Sequence, residues 1–313
     1  MNPILALIIT NIIWGLAAPI FKLALTNIPP FTLAFIRFFV GSFLILPFVI
    51  KSWQKISWSL LGEICLGGLF SITINIAFFF LGIQRTQSIN APVIASSQPI
   101  FLYLFAILFL REKPNKKVLL GIMVSFIGVL VILMSPFLIN GKMLFTNELH
   151  AFEGNIFLLI ATLGSVGHTL IFKRILKKVN HLQATYISFL FGSFTFLPLM
   201  INDLRTWSFT SLNINGWVGI IFGVFFCSTL AYVLFNYGIS KIAAQEVGIF
   251  SYIDPVAAVL LAVPLLHEIP SLYFYLGSIF VFGGIFLSEG RIQYHPFHRI
   301  RKYKTISFNE RIY

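Results

Sequence analysis

The chain has 313 residues, of which 58% are hydrophobic and only 10% charged, with a mean hydropathy of +0.91. Soluble domains carry roughly 25% charged residues, and surface-to-volume scaling gives a soluble core of this length no way to hide so much apolar surface. The net charge of +12 does not mark a nucleic-acid binder either, because the basic residues sit in short clusters between apolar runs, not on an aromatic-interleaved polar face.

A membrane-spanning helix needs about 20 mostly apolar residues, and apolar runs between charged or turn-rich breaks predict ten of them. The first, 3–25, carries Asn11, Trp14 and Gly15; with no basic segment before it and no A-x-A site after it, it reads as a retained span, not a signal peptide. The second, 31–50, holds Arg37 about six residues in, roughly 9 Å from its end. In the third, 59–83, Ser71 and Asn75 share a face. The fourth, 88–110, has Ser96-Ser97-Gln98-Pro99 at its centre, and the fifth, 117–136, follows a loop containing Arg111, Glu112, Lys113, Lys116 and Lys117. The sixth, 154–173, clusters Ser165, His168 and Thr169; the seventh runs over 183–201. In the eighth, 216–238, Ser228, Tyr232 and Asn236 recur every four residues and so share a face. The ninth, 244–266, has Tyr252-Ile253-Asp254-Pro255 at its centre, and the tenth spans 272–289. Cys65 and Cys227 lie inside apolar runs and read as packing residues.

Two features organise these spans. At an offset of 156 residues Gly82 matches Gly238, Pro99 matches Pro255, Glu112 matches Glu268, Gly121 matches Gly277 and Gly128 matches Gly284. At an offset of 151, Phe21-Lys22 matches Phe172-Lys173 and Gly41-Ser42-Phe43 matches Gly192-Ser193-Phe194. Two repeats of five spans result, 1–136 and 154–289, with a basic tail at 290–313. Five is odd, so the second repeat enters the membrane from the opposite side, a construction associated with secondary transporters. With the N-terminus in the cytoplasm, seventeen Lys and Arg fall on inside segments and four on outside ones, which predicts cytoplasmic termini in a multi-pass protein of the cell (inner) membrane. The tail reads as a topology anchor, with contact to anionic lipid headgroups as its functional alternative.

Trp14-Gly15, Arg37, Pro99…Glu112 and Pro255…Glu268 together resemble the EamA type of the drug/metabolite transporter superfamily, over about 3–289. The resemblance implies an all-α integral membrane bundle of ten helices in two inverted repeats, with a central cavity and no ATP site, exporting or exchanging small metabolites, often amino acids. The sequence departs from the usual pattern at Ser165-Val166, opposite Trp14-Gly15, and at His267-Glu268, where Gly-Glu is common.

The chemistry is expected at the centres of the fourth and ninth spans. Proline disrupts the preceding turn, while Ser and Asp accept bonds from amides at a helix start and Pro suits its first position. Each of these spans is therefore predicted to break into half-helices whose N-terminal amides face a bound anionic group. A carboxylate at mid-depth costs roughly 2.5–3.5 kcal/mol on insertion scales and marks function by default. Asp254 is thus the candidate for substrate binding and proton coupling, with helix capping as its structural alternative. Arg37 either pairs a substrate carboxylate or snorkels to the interface. The predicted substrate-binding set is Trp14, Arg37, Asn75, Ser97, Gln98, Pro99, Tyr232, Asn236, Tyr252, Asp254 and Pro255, and Arg37 with Asp254 in one cavity suits a zwitterion. Most other polar stripes read as interhelical glue, His168 as a hydrogen-bonded spacer, and Glu112 and Glu268 as structural. No nucleophile–base pair, metal-ligand spacing or phosphate-cradling run appears, so neither an enzyme, a metal nor a cofactor is expected. A facilitative channel-like permease is the alternative to a carrier; saturable flux against ohmic current separates them.

The charge asymmetry generates a first test. Single cysteines replacing Asn147 and Asn213 should react with impermeant thiol reagents in intact cells, and one replacing Asn115 should not; the reverse pattern would overturn the orientation.

Overall fold

The structure is a computed structural model that describes residues 2–110, 116–140, 146–241 and 248–288. The Glu112 loop and the basic tail, on which several expectations fall, lie outside the described residues. The described residues form helices joined by short turns. The helices are α1 (Pro3–Ala24), α2 (Pro30–Ile50), α3 (Trp58–Arg85), α4 (Asn90–Ala95), α5 (Gln98–Leu110), α6 (Lys116–Asn140), α7 (Thr146–Ile175), α8 (His181–Asp203), α9 (Ile214–Lys241), α10 (Ile253–Leu266) and α11 (Leu272–Ser288). A 3-10 turn, Gly248–Tyr252, leads into α10. Seven of the helices are long and apolar enough to cross a membrane, and the stretches Phe250–Leu266 and Leu272–Leu287 are shorter apolar helices. Their outward faces are apolar, with Leu260, Ile279 and Phe286 exposed, the reverse of a soluble surface.

Starts follow local caps. Asn2, Ser57, Asn180 and Asn213 each accept a backbone N–H in the first turn of α1, α3, α8 and α9. At α2, where Pro29 offers no such oxygen, Asp203 from the end of α8 accepts from Thr32 N and Oγ1 at 3.1 and 3.2 Å. One expectation is corrected here: much of the predicted 137–153 loop is helix, because α7 begins at Thr146 with a polar turn (Asn147, Glu148, His150) that hydropathy does not count as span.

Helix pairing fixes the bundle. The chief pairs are α2 with α8, α3 with α7, and α6 with α11, while α1 packs on α9 and α10, and α7 also on α4 and α5. The α6–α11 pair is antiparallel and held at backbone contact by glycine. A Cβ on Gly128 would sit 2.5 Å from the Gly277 carbonyl oxygen, and one on Gly284 would strike Ser125 N and the Gly121 carbonyl. Ser125 Oγ donates to Val281 O at 2.9 Å across the same seam. Without a hydrophobic drive between helices in lipid, such close packing and cross-helix bonding carry association.

At the end where α1 finishes, one carboxylate gathers three elements. Glu268, 8% exposed, accepts from Lys22 Nζ at 2.8 Å, from Ser88 N and Oγ at 2.8 and 2.9 Å, and from Ile89 N at 3.2 Å. Lys22 also donates to Thr86 O at 2.6 Å. The preceding His267 has φ 54°, in the left-handed region where a Cβ costs roughly 1–2 kcal/mol, which explains why glycine suits this position and why the chain turns sharply enough to aim Glu268 at α4. Beside it Asn155 is fully engaged, accepting from Thr86 Oγ1 and Asn90 Nδ2 and donating to Ile132 O.

The glycine seam yields a paired test. Gly284→Ala forces α6 and α11 apart, whereas at Gly283 an added Cβ meets nothing within 4 Å. Overpacking costs about 1–3 kcal/mol, so Gly284→Ala should lower the thermal midpoint of the detergent-purified protein by several degrees and Gly283→Ala should leave it unchanged. Equal effects would mean that this seam is not tightly packed.

Candidate functional site

A cavity of about 150 Å³ opens between α1, α2, α3, the α4–α5 break, α7, α9 and the start of α10. Six predicted residues line it: Trp14, Arg37, Asn75, Gln98, Tyr232 and Asp254. Ser97, Pro99, Asn236, Tyr252 and Pro255 lie outside that lining.

The fourth span breaks where its proline predicts. Helix α4 ends at Ala95, Ser96 and Ser97 form a turn, and Pro99 is the second residue of α5. The serines act differently from the expectation. Ser96 Oγ donates to Pro92 O at 2.9 Å and Ser97 Oγ to Ile94 O at 2.6 Å, so both answer carbonyls of the half-helix behind them and leave none of their hydroxyl hydrogens for a ligand. In the ninth span the 3-10 turn gives way to α10 at Ile253, and Tyr252 occupies the cap position with no side-chain bond to the backbone amides. Asp254 sits in the first turn, where the helix's positive end favours a carboxylate. It is 8% exposed, and its Oδ1 has no hydrogen-bond partner. Gly15 permits this approach: a Cβ there would lie 2.6 Å from the Asp254 carbonyl oxygen.

Arg37 is 1% exposed and does not snorkel. Its guanidinium carbon stands 4.2 Å from the Phe21 ring centroid, 5.1 Å from Phe38 and 5.4 Å from Phe80, a cation–π cradle that substitutes in part for lost hydration. Nε donates to Ser228 Oγ and Nη2 to Cys227 Sγ, both at 3.3 Å, while Nη1 is buried without a partner. Gly223 makes the space, since a Cβ there would come within 2.7 Å of the Arg37 stem. Among the described residues no carboxylate lies within 4.0 Å of this cation, Asp254 included. A buried basic and a buried acidic side chain thus share a cavity without pairing.

Two spans widen beside the cavity, which sequence periodicity did not anticipate. Leu69–Ile74 in α3 and Phe222–Leu230 in α9 are π-helical, with i→i+5 bonding of the kind that collects at functional sites. On α9 the cavity face accordingly runs through Cys227 and Tyr232, five residues apart, in place of the predicted Ser228–Tyr232–Asn236 stripe. The widened turns also offer carbonyls to side chains: Tyr232 Oη donates to Ser71 O at 3.1 Å and Trp14 Nε1 to Cys227 O at 3.3 Å. Asn75 and Gln98 are tied as well, Asn75 Nδ2 to Ala161 O at 2.7 Å, and Gln98 to Thr169 Oγ1 and Ser165 Oγ at 3.1 and 3.2 Å. Both tie their spans to α7. Ser71, Ser165 and His168, read from sequence as glue or spacer, line the cavity; their common helical faces were the available signal.

Comparison with known proteins agrees with this architecture. Residues 1–134 and 152–289 each match the EamA-like transporter family. An uncharacterized transporter, YetK, of Bacillus subtilis (strain 168) is 27% identical over 88% of this chain and 82% of its own length. An uncharacterized transporter of Archaeoglobus fulgidus is 25% identical over 92% of this chain and 97% of its own. One solved crystal structure superposes with a TM-score of 0.63 over 91% of this chain and 96% of its own, at 14% identity, a likeness of fold.

The division between tied and untied polar groups is measurable. Gln98→Ala takes a partner from the buried Thr169 hydroxyl and the half-buried Ser165 hydroxyl and should cost about 1–2 kcal/mol in thermal unfolding of the purified protein. Asp254→Asn replaces a buried carboxyl group whose Oδ1 has no partner and should not lower stability. A loss in Asp254→Asn as large as that in Gln98→Ala would make the carboxylate part of the scaffold.

Proposed function

The chain belongs to the EamA-like transporter family, and from that membership we propose that it is a secondary transporter exchanging a small zwitterion of the amino-acid class for protons, by alternating access around the cavity. The observation that carries the reading is the pair of unpartnered atoms, Arg37 Nη1 and Asp254 Oδ1, buried on one cavity and unpaired with each other. Their charges are answered by a ligand that brings a carboxylate to Arg37 and an ammonium to Asp254. Arginine stays cationic in any protein environment, so it serves as the fixed anchor. When the ammonium leaves, a proton takes its place on Asp254, because a bare carboxylate at mid-depth is costly. Substrate and proton then compete for one cavity state, which is the coupling an exchanger needs.

Alternation is supported by the pairing of helices. Counting α4–α5 as the fourth span and the turn with α10 as the ninth gives ten spans in two halves. Exchanging the halves maps α1 on α9 and α10 to α7 on α3 and α4–α5, and maps the α2–α8 and α6–α11 pairs onto themselves. The contacts Gly128–Gly277 and Gly121–Gly284 exchange likewise. In this reading both termini are cytoplasmic and the bundle lies in the cell (inner) membrane, as the basic residues argue.

The test is reconstitution into proteoliposomes with a mixture of radiolabelled amino acids. Asp254→Asn should lose uptake driven by a pH gradient yet keep substrate exchange, and Arg37→Gln should lower both about tenfold or more. Accumulation by Asp254→Asn with protons as the sole driving force would end the coupling role; unaltered kinetics in Arg37→Gln would end the anchoring role.

A further inference from the structure

A third cavity side chain is as unsatisfied as the two charges. His168, on α7, is 3% exposed and lines the cavity, and neither of its ring nitrogens is hydrogen-bonded. Its ring is held by aromatic contacts, 4.1 Å from the Phe172 centroid and stacked at 6.2 Å on Phe235. The Asn236 side chain and the Gly67 backbone stand beside it without hydrogen-bond geometry.

Donor and acceptor bookkeeping gives this histidine a direction. Thr185 spends its hydroxyl hydrogen on His181 O at 2.7 Å, so its oxygen can only accept. It accepts from Asn236 Nδ2 at 2.8 Å, which fixes the amide orientation and leaves Asn236 Oδ1 as an unpartnered acceptor beside the imidazole. Placing the hydrogen of the neutral ring on the nitrogen nearest this acceptor leaves the other nitrogen as an acceptor.

We infer that His168, keyed by Asn236 and Thr185, selects zwitterions whose side chain carries a neutral hydrogen-bond donor, a hydroxyl or a carboxamide. The inference rests on the zwitterion reading above, in which Arg37 and Asp254 take the two charges; His168 reads the third arm. A cationic side chain is disfavoured, because Asp254 is the one carboxylate among the described lining residues and is already engaged. A cavity of about 150 Å³ admits a small molecule of about benzene's size or a little more. An apolar isostere fits the same space and leaves the buried acceptor unpaired, which in a desolvated site costs about ten- to a hundredfold in discrimination.

Two isosteric pairs test this in proteoliposomes containing the full chain: L-threonine against L-valine, and L-asparagine against L-leucine. Wild-type protein should transport the polar member of at least one pair about tenfold faster or more at equal low concentration. His168→Phe should bring that ratio to within about twofold, and His168→Gln, which restores an acceptor, should recover part of it. Equal rates within both pairs in wild type overturn the inference without any variant, as does a ratio that survives in His168→Phe; should that variant not reconstitute, His168→Leu carries the same expectation. These outcomes leave the zwitterion reading standing. Failure of wild type to transport any of the four amino acids removes that reading and the selector role with it.

Discussion

In a bilayer every backbone N–H and C=O must find its partner inside the protein, since lipid offers none and each orphan costs several kcal/mol. Most of this bundle meets the requirement with unbroken helix. The informative places are where it does not. At the α4–α5 break the carbonyls of the last α4 turn take bonds from Ser96 and Ser97; the amides that open the fourth span, at Ser88 and Ile89, go to Glu268. In the two π segments the carbonyls of Ser71 and Cys227 take bonds from Tyr232 and Trp14. Ser96 and Ser97 answer their own half-helix, while at Ser88–Ile89 and in the two π segments the answering side chain comes from another span, so those places are also joints that hold spans together.

Against that background of satisfied groups, three exceptions fall together, while Thr229 Oγ1 and Asn236 Oδ1 lie off the cavity. Arg37, Asp254 and His168 each keep a buried polar atom without a partner, and all three face the same cavity. Stability alone would pair or remove them, as buried unpaired polar groups are costly. Functional sites are where proteins carry such costs. Polar residues around the same cavity that are tied to neighbouring helices, such as Asn75 and Gln98, shape it and hold its walls in place.

Much of the architecture is legible in the sequence because hydropathy, proline and glycine act locally. Helix starts at Pro3 and Pro30, and the break ahead of Pro99, follow from caps and missing donors. The convergence of Trp14, Arg37 and Asp254 was also legible, since polar residues within apolar runs must face inward. The α9 face was misread for a definite reason. Ser228, Tyr232 and Asn236 align on a 3.6-residue helix, but Phe222–Leu230 is wider, which brings Cys227 onto the cavity in place of Ser228, while Asn236, one turn beyond Tyr232, lies outside the lining. Nothing in the residue types there announces a π turn. Nor does spacing distinguish a tied amide from a free one; Gln98 and Asp254 look alike in sequence and differ only in what the fold brings against them.

The π segments have a consequence for how this protein tolerates insertions and deletions. Each residue advances an α-helix by about 100°, so the wider turns act as an angular offset between the two ends of a span. The far end of α3 depends on that offset: Gly82 sits against Leu158 and the Gly154 carbonyl, where a Cβ would be 2.8 and 3.0 Å from its neighbours. Losing one residue from the α-helical stretch between Ile74 and Gly82 would swing this end through about 100° and turn a side chain into that contact, whereas a loss inside Leu69–Ile74 lets the wide turn close to an α turn and keeps the register. The same deletion in a loop shortens a tether. In these two spans a change of length is a rotation unless a π turn absorbs it, so the widened turns are where chain length can vary by a residue.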